Sequence, residues 1–360
     1  MFKIRKCMSI LLTATLLICL VFSVSPKIVY ANTTHDLVFG ESYTFDGTGG
    51  MQRFDLTLEK SGSIDIKFVS NSTDGSSGVF VYTEGGNKKL TSYGFTGSYK
   101  KSIDLKAGTY VLIFNYSNGT KGTNIHGEPY DNSPANGIMS TSFTDANETY
   151  AEDATITNDE YGVASNILSV DNAILQGQFA LNDSVDYYTF STTQAQNLNL
   201  YFSSKLDSVN IQLFNDLLDF DLKKDGLVAG SNKFSIVLPK GTYYLAVKNA
   251  KTDFTGNYQL KLSTSDITKT SIKSLKSPKK SALNITVNKQ ANITGYQIQI
   301  ATNSTFTQNK KSYLITSNSK SITNLKSKIT YYVKVRTYST AVNGEKCYSS
   351  WSAIKSVNIK

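Results

Sequence analysis

From residue 32 onward, apolar and polar positions alternate with a period of two in run after run. Ser63-Ile64-Asp65-Ile66-Lys67-Phe68, Asn197-Leu198-Asn199-Leu200-Tyr201-Phe202 and Tyr296-Gln297-Ile298-Gln299-Ile300 each put one apolar set on one face. That pattern predicts strands with a single buried side. Clusters of Gly, Asn, Ser and Asp separate the runs, as in Ser70 to Gly78, Tyr116 to Gly122 and Lys251 to Gly256, and these are turn and loop chemistry. No window holds a helical period. The expected fold class is all-β, with short strands in three antiparallel β-sandwiches in series.

Aligning the turns exposes an internal repeat. Lys106-Ala107-Gly108-Thr109-Tyr110-Val111-Leu112-Ile113-Phe114 recurs as Lys240-Gly241-Thr242-Tyr243-Tyr244-Leu245-Ala246-Val247. An alternating strand precedes each copy, Ser102-Ile103-Asp104-Leu105 in one and Phe234-Ser235-Ile236-Val237-Leu238 in the other. Further upstream, Arg53-Phe54-Asp55-Leu56 is the expected counterpart of Asp186-Tyr187-Tyr188-Thr189-Phe190. In each copy the Gly opens a tight turn into a strand whose alternate side chains share one core.

These residues resemble a known family. Gly177, then Asp183-Ser184-Val185-Asp186-Tyr187-Tyr188-Thr189-Phe190, Gly241-Thr242-Tyr243-Tyr244-Leu245-Ala246-Val247 and Gly256-Asn257-Tyr258-Gln259-Leu260 are similar to a bacterial pre-peptidase C-terminal domain over residues 171–263. Residues 37–143 resemble a more divergent copy. The resemblance implies jelly-roll-like accessory sandwiches of secreted proteins, suited to binding rather than chemistry. Downstream, Leu325-Lys326-Ser327-Lys328-Ile329-Thr330-Tyr331-Tyr332-Val333-Lys334-Val335-Arg336 resembles a fibronectin type III (immunoglobulin-like) domain spanning 268–360. Tyr331 is then the corner tyrosine whose hydroxyl meets upstream backbone. Two departures are Val287, where that family usually buries a Trp, and Ser327-Lys328, where it has Pro-Gly. The expected units are a signal peptide at 1–31, sandwiches at 32–145 and 146–265, and a basic sandwich at 266–360.

The start of the chain reads as an export signal: Lys3, Arg5 and Lys6, an apolar run from Met8 to Val24, and Val29-Tyr30-Ala31 as a cut site. An uncleaved anchor is the alternative. Cleavage removes Cys7 and Cys19, leaving Cys347 without a disulfide partner and read as a buried small apolar side chain. No second apolar run reaches membrane length. The expected location is secreted or extracellular, with association to a cell wall as one form of it.

Charge divides the chain. The formal net charge of +9 conceals an acidic body and a basic end. Residues 266–360 carry 16 Lys or Arg against Asp266 and Glu345, a net +14, while residues 32–265 carry 17 basic and 26 acidic residues, a net −9. Such asymmetry speaks of partners rather than fold. Lys279, Lys280, Lys310, Lys311, Lys326 and Lys328 are the candidate polyanion-binding residues. Protection of strand edges is the competing role for lysines in such a unit. Export makes nucleic acid a poor partner and favours a cell-wall polyanion, a glycan or an extracellular protein.

Catalytic patterns are sparse. A Ser-His-Asp relay needs a base, and the two histidines are His35, beside the expected cut, and His126, in a loop with no Gly-x-Ser-x-Gly elbow. Paired carboxylates remain open, since any two acids can meet in space. Calcium is the candidate ion, because hard cations collect carboxylate and carbonyl oxygens. The stretch holding Asp145, Glu148, Glu152, Asp153, Asn158, Asp159 and Glu160 is dense in them. By resemblance to calcium-holding relatives the candidate ligands are Asp159, Asp183 and Asp186; a plain solvated linker is the alternative. Asp216, Asp219, Asp221 and Asp225 lack the spacing of a calcium loop and read as a turn. The expected function is that of an exported, non-catalytic surface or extracellular binding protein of a bacterium. The alternative is an accessory component of a secreted hydrolase system, and an enzyme with an unrecognised carboxylate pair is the remaining rival.

Overall fold

The computed structural model describes residues 27–29, 34–45, 50–71, 76–83, 86–116, 121–123, 129–131, 136–152, 158–167, 169–251 and 254–360. The apolar leader, His126, Asp153 and Glu128 lie outside these described residues. The chain is all-β; among the described residues, Tyr161–Val163 forms a 3-10 turn. No helix among them is long and apolar enough to cross a membrane.

The first sandwich begins with β1 (Lys27–Val29), β2 (Thr34–Asp36), β3 (Ser42–Phe45), β4 (Gly50–Leu58), β5 (Gly62–Ser70) and β6 (Ser76–Thr83). It continues through β7 (Lys89–Thr96), β8 (Tyr99–Leu105), β9 (Gly108–Tyr116), β10 (Lys121–Thr123), β11 (Pro129–Asp131) and β12 (Gly137–Asp145). Its two sheets run β1-β3-β12-β5-β8 and β2-β4-β9-β6-β7. β1 falls inside the segment read as a leader and pairs in parallel with β3, so a cut after Ala31 would remove this edge strand. The apolar face predicted for β5 is buried: Ile64, Ile66 and Phe68 pack with Phe45 and Phe114, the last two with ring centres 4.4 Å apart. Each such ring contributes about 1.5–3 kcal/mol by leaving water. His35 on β2 rests its ring 5.5 Å from that of Phe54.

The second sandwich comprises β13 (Ser165–Asn166), β14 (Ala173–Phe179), β15 (Val185–Thr192), β16 (Gln196–Ser204) and β17 (Val209–Asn215). β18 (Asp221–Leu227), β19 (Gly230–Leu238), β20 (Gly241–Asn249) and β21 (Gly256–Asp266) complete it. Its sheets run β13-β15-β20-β17-β18 and β14-β21-β16-β19, the order of the first sandwich without a counterpart of β1. The repeat is thus a repeat of topology. Its register corrects one alignment: Leu58 faces Gly108 and Thr192 faces Gly241, so the counterpart of Asp186 is the buried Gln52. Tyr110 and Tyr243 each donate their hydroxyl to the carbonyl four residues upstream, on Lys106 and Pro239, at 2.9 Å. The acids read as a turn divide: Asp216 and Asp219 lie in the β17–β18 turn, whereas Asp221 and Asp225 sit on β18 itself. Pairing of β18 with β17 extends the hairpin through them.

The third sandwich holds β22 (Ile272–Lys276), β23 (Leu283–Val287), β24 (Gly295–Ala301) and β25 (Lys311–Ile315). β26 (Ser319–Ile322), β27 (Thr330–Thr340), β28 (Lys346–Tyr348) and β29 (Lys355–Asn358) follow. One sheet is β22-β23-β26; in the other β25-β24-β27-β28 is joined by β29 on β27. Val287 is fully buried, and the Tyr331 hydroxyl accepts a bond from the backbone N–H of Lys326 at 3.4 Å. Cys347 is buried and joins the core cluster of the second sandwich together with Ala341.

Candidate functional site

Two features gather the chemistry. The first lies where the linker after β12 meets the second sandwich. Asp183 ends a turn in which Asn182 takes φ +65°, a left-handed conformation that Asn tolerates, and Asp186 follows on β15. The linker is drawn onto β15 by a bond from the Tyr187 N–H to the Asn158 carbonyl at 2.9 Å. Glu152 accepts the Asn158 N–H at 3.0 Å. The result brings Asp159, Asp183 and Asp186 together, with Glu152 as a fourth member, all offering oxygens within 4.8 Å of one another. Glu152, Asp183 and Asp186 are buried.

Burial dominates the electrostatics of this cluster. It pushes the Asp183 carboxyl up to about 8, against the pull of Lys106 and with the help of Glu152 and Asp159. Asp186 is held well above the usual carboxylate range by burial, then by Asp183 and Glu152, although the Tyr258 hydroxyl donates to it and lowers it. Tyr258 in turn shares a 2.6 Å bond with the Tyr188 hydroxyl. Nearby, burial pushes Glu148 up to about 7. Gly177 makes room for the Tyr258 ring, since a Cβ there would overlap it.

The cluster has the form a hard cation needs. Oxygens sharing one calcium ion at about 2.4 Å lie no more than about 5 Å apart, and these meet that limit. Oδ2 of Asp183 and Oδ1 of Asn158 are buried without a hydrogen-bond partner. A cation already stands among them: the Lys106 ammonium lies 2.8 Å from Glu152, 3.3 Å from Asp159 and 3.5 Å from Asp183. Burial pulls that ammonium down, but Asp183, Glu152 and Asp159 outweigh it and leave it raised.

The second feature is a basic pole on the third sandwich. The pairings Lys276 with Asn284 and Leu283 with Ile322 bring the β22–β23 and β26–β27 turns to one end. Bonds from Ser281 N–H to the Lys360 carbonyl (3.0 Å), Leu325 N–H to the Ser281 carbonyl (3.1 Å) and Lys328 N–H to the Ile359 carbonyl (2.7 Å) tie the chain end to both turns. Ala301 pairs with Tyr332, so the β24–β25 loop comes to the same end. Lys279, Lys280, Lys310, Lys311, Lys326 and Lys328 therefore converge, with Lys360 added, and all are exposed. Among the described residues none of them forms an ion pair. Of the six, Lys311 alone lies on a strand, the edge strand β25; the rest occupy turns, where edge protection has no purpose. Glu345 lies at the opposite end, in the β27–β28 hairpin beside Ala341. Lys334 and Arg336 are committed elsewhere, stacked 4.6 and 4.3 Å from the Trp351 ring.

In the sequence Glu152 is one of several linker acids with nothing to set it apart, and Lys106 carries no motif of its own. The available signal was the repeat, in which Lys106 stands where the second copy has Pro239.

No family model and no curated protein matches the chain. Among solved structures, the pre-peptidase C-terminal domain of a collagenase from Bacillus anthracis is similar over 28% of this chain and 93% of that one, at 20% identity and a TM-score of 0.24. A beta-1,2-glucanase from Parabacteroides distasonis is similar over 52% of this chain and 32% of that one, at 12% identity and a TM-score of 0.19. Likenesses of this degree say nothing of what this chain binds.

Proposed function

We propose that this chain is an exported, non-catalytic binding protein whose third sandwich grips a polyanionic surface through its lysine pole. The observation that carries the reading is the convergence of seven exposed lysines on one end of that unit, with Glu345 in the hairpin at the other. A one-signed patch raises the local concentration of an opposite polymer and speeds its capture, and salt screens the attraction over about 8 Å at physiological ionic strength. The partner class is an anionic polymer of the envelope or its surroundings. Retention on immobilised heparin, a sulfated polysaccharide, tests it: retention should end at moderate salt and be lost when Lys279, Lys280, Lys326 and Lys328 become Gln. Unchanged retention in that variant would sink the reading.

The acid cluster is read as a calcium site of the second sandwich, held by Glu152, Asp159, Asp183 and Asp186. The burial of Asp183, with no hydrogen-bond donor on its Oδ2, supports this. Bound calcium would supply structural cross-linking of the linker to β15. If chelation by EDTA leaves the thermal midpoint unchanged, the cluster is not a cation site under those conditions.

A further inference from the structure

Lys106 does not belong to the body that owns the four acids. It projects from the β8–β9 turn of the first sandwich, while Glu152 and Asp159 lie in the linker and Asp183 and Asp186 in the second sandwich. Its backbone is fixed by the Tyr110 hydroxyl. Polar bonds surround it at the joint. Asp104, two residues upstream, accepts the Leu181 N–H on its carbonyl at 3.0 Å and the Thr255 hydroxyl on its carboxylate at 2.5 Å. The Ser61 hydroxyl donates to the Glu152 carbonyl at 3.2 Å, and Leu181 rests against the core of the first sandwich.

Resting on the calcium reading, we infer that Lys106 and a divalent cation compete for the same carboxylates, so that cation binding withdraws Lys106 and loosens the joint between the first two sandwiches. The ammonium contacts three of the four acids. An ion placed about 2.4 Å from those oxygens would share their enclosure with it, and a charge of +2 repels a charge of +1 at that range. Full occupancy by both is therefore excluded. Lys has the means to leave: a flexible four-carbon stem ending in a strongly hydrated charge, with 18% of the side chain already exposed. Asp183 has no such freedom, and its buried carboxylate, which already faces Lys106 through Oδ1, accepts either cation. The first sandwich cannot supply a second site of the same kind, because Gln52 stands where Asp186 would be.

The test is calorimetric titration of calcium chloride into the chain from residue 27, as wild type, Lys106→Met and Lys106→Arg. Nitroxide pairs on Lys88→Cys and Lys223→Cys report the separation of the two sandwiches. The Met variant should bind calcium at least tenfold more tightly than wild type, and the Arg variant should not. Calcium should shift or broaden the label distances in wild type, and Lys106→Met should show that distribution before any calcium is added. Equal affinities with calcium-insensitive distances would overturn the competition and leave the calcium site standing. Absence of calcium binding in all three proteins would remove the site, and the competition with it.

Discussion

Asp183→Asn replaces one carboxylate oxygen with an amide nitrogen in a side chain with 2% of its surface exposed. In the cation-free fold, burial first and the neighbouring Glu152 and Asp159 second hold the carboxyl at about 8, against an ordinary 3.8. A raised acid contributes most below its unfolded pKa, and the fold loses that contribution as pH climbs toward the folded pKa. From pH 3.8 to neutrality the loss is about 4 kcal/mol, at 1.36 kcal/mol per pH unit. The Asn variant has no titrating group there and escapes this loss, whose value already includes the pull of Lys106, so it should be the more stable protein at neutral pH in EDTA by up to about 4 kcal/mol. Each kcal/mol of that gain raises the midpoint by roughly 4 °C for a domain of this size. Calcium reverses the order. Wild type gains about 2.7 kcal/mol when calcium stands at a hundredfold its dissociation constant, and the variant, one charged ligand short, gains little. Thermal melts of both proteins in EDTA and in millimolar calcium read the four values. The reasoning fails if the variant is the less stable protein in EDTA, or if calcium stabilises it as much as wild type.

The pH dependence of the cation-free protein should show Glu148 as well: its stability contribution is complete below 4.5 and declines as pH rises through about 7, which denaturant melts at pH 5 and pH 8 would detect as a lower midpoint at the higher pH. Gly177→Ala drives a Cβ into the Tyr258 ring; overpacking of this kind costs about 1–3 kcal/mol, and by disturbing the Tyr258–Asp186 bond it should also weaken calcium binding. Tyr258→Phe leaves Asp186 without its hydroxyl donor and should destabilise by about 1.5–3 kcal/mol. Cys347 is buried with its thiol pushed up to about 11, so a thiol reagent should label it only at the rate of unfolding; rapid labelling of the native chain would contradict its packing against the second sandwich.

How much of this was legible depended on whether the signal was local. Alternation in Ile64, Ile66 and Phe68 reports burial directly, because a strand turns every second side chain to the same face. The repeat of Gly108 and Gly241 carried the shared sheet order, since each opens the strand that pairs with β4 or β15. Asp159, Asp183 and Asp186 were reached through family resemblance and do meet in space. Glu152 was harder, because a string of acids does not say which one folds inward; that is set by its bond to the Asn158 N–H. Lys106 was hidden because its partners lie 46 or more residues away in sequence. The lysines could be counted from sequence, but their convergence could not be read there, since it depends on which turns share an end once the strands are in register.

The lysine pole is proposed to hold a polyanionic surface. Its most direct test is co-sedimentation of the chain from residue 27 with purified bacterial cell walls across a salt series, beside a variant in which Lys279, Lys280, Lys310, Lys311, Lys326 and Lys328 are all Gln. Wild type should pellet at low salt and be released steeply as salt rises, and the variant should stay in solution throughout. Pelleting of both proteins alike, or of neither at low salt, would contradict the account.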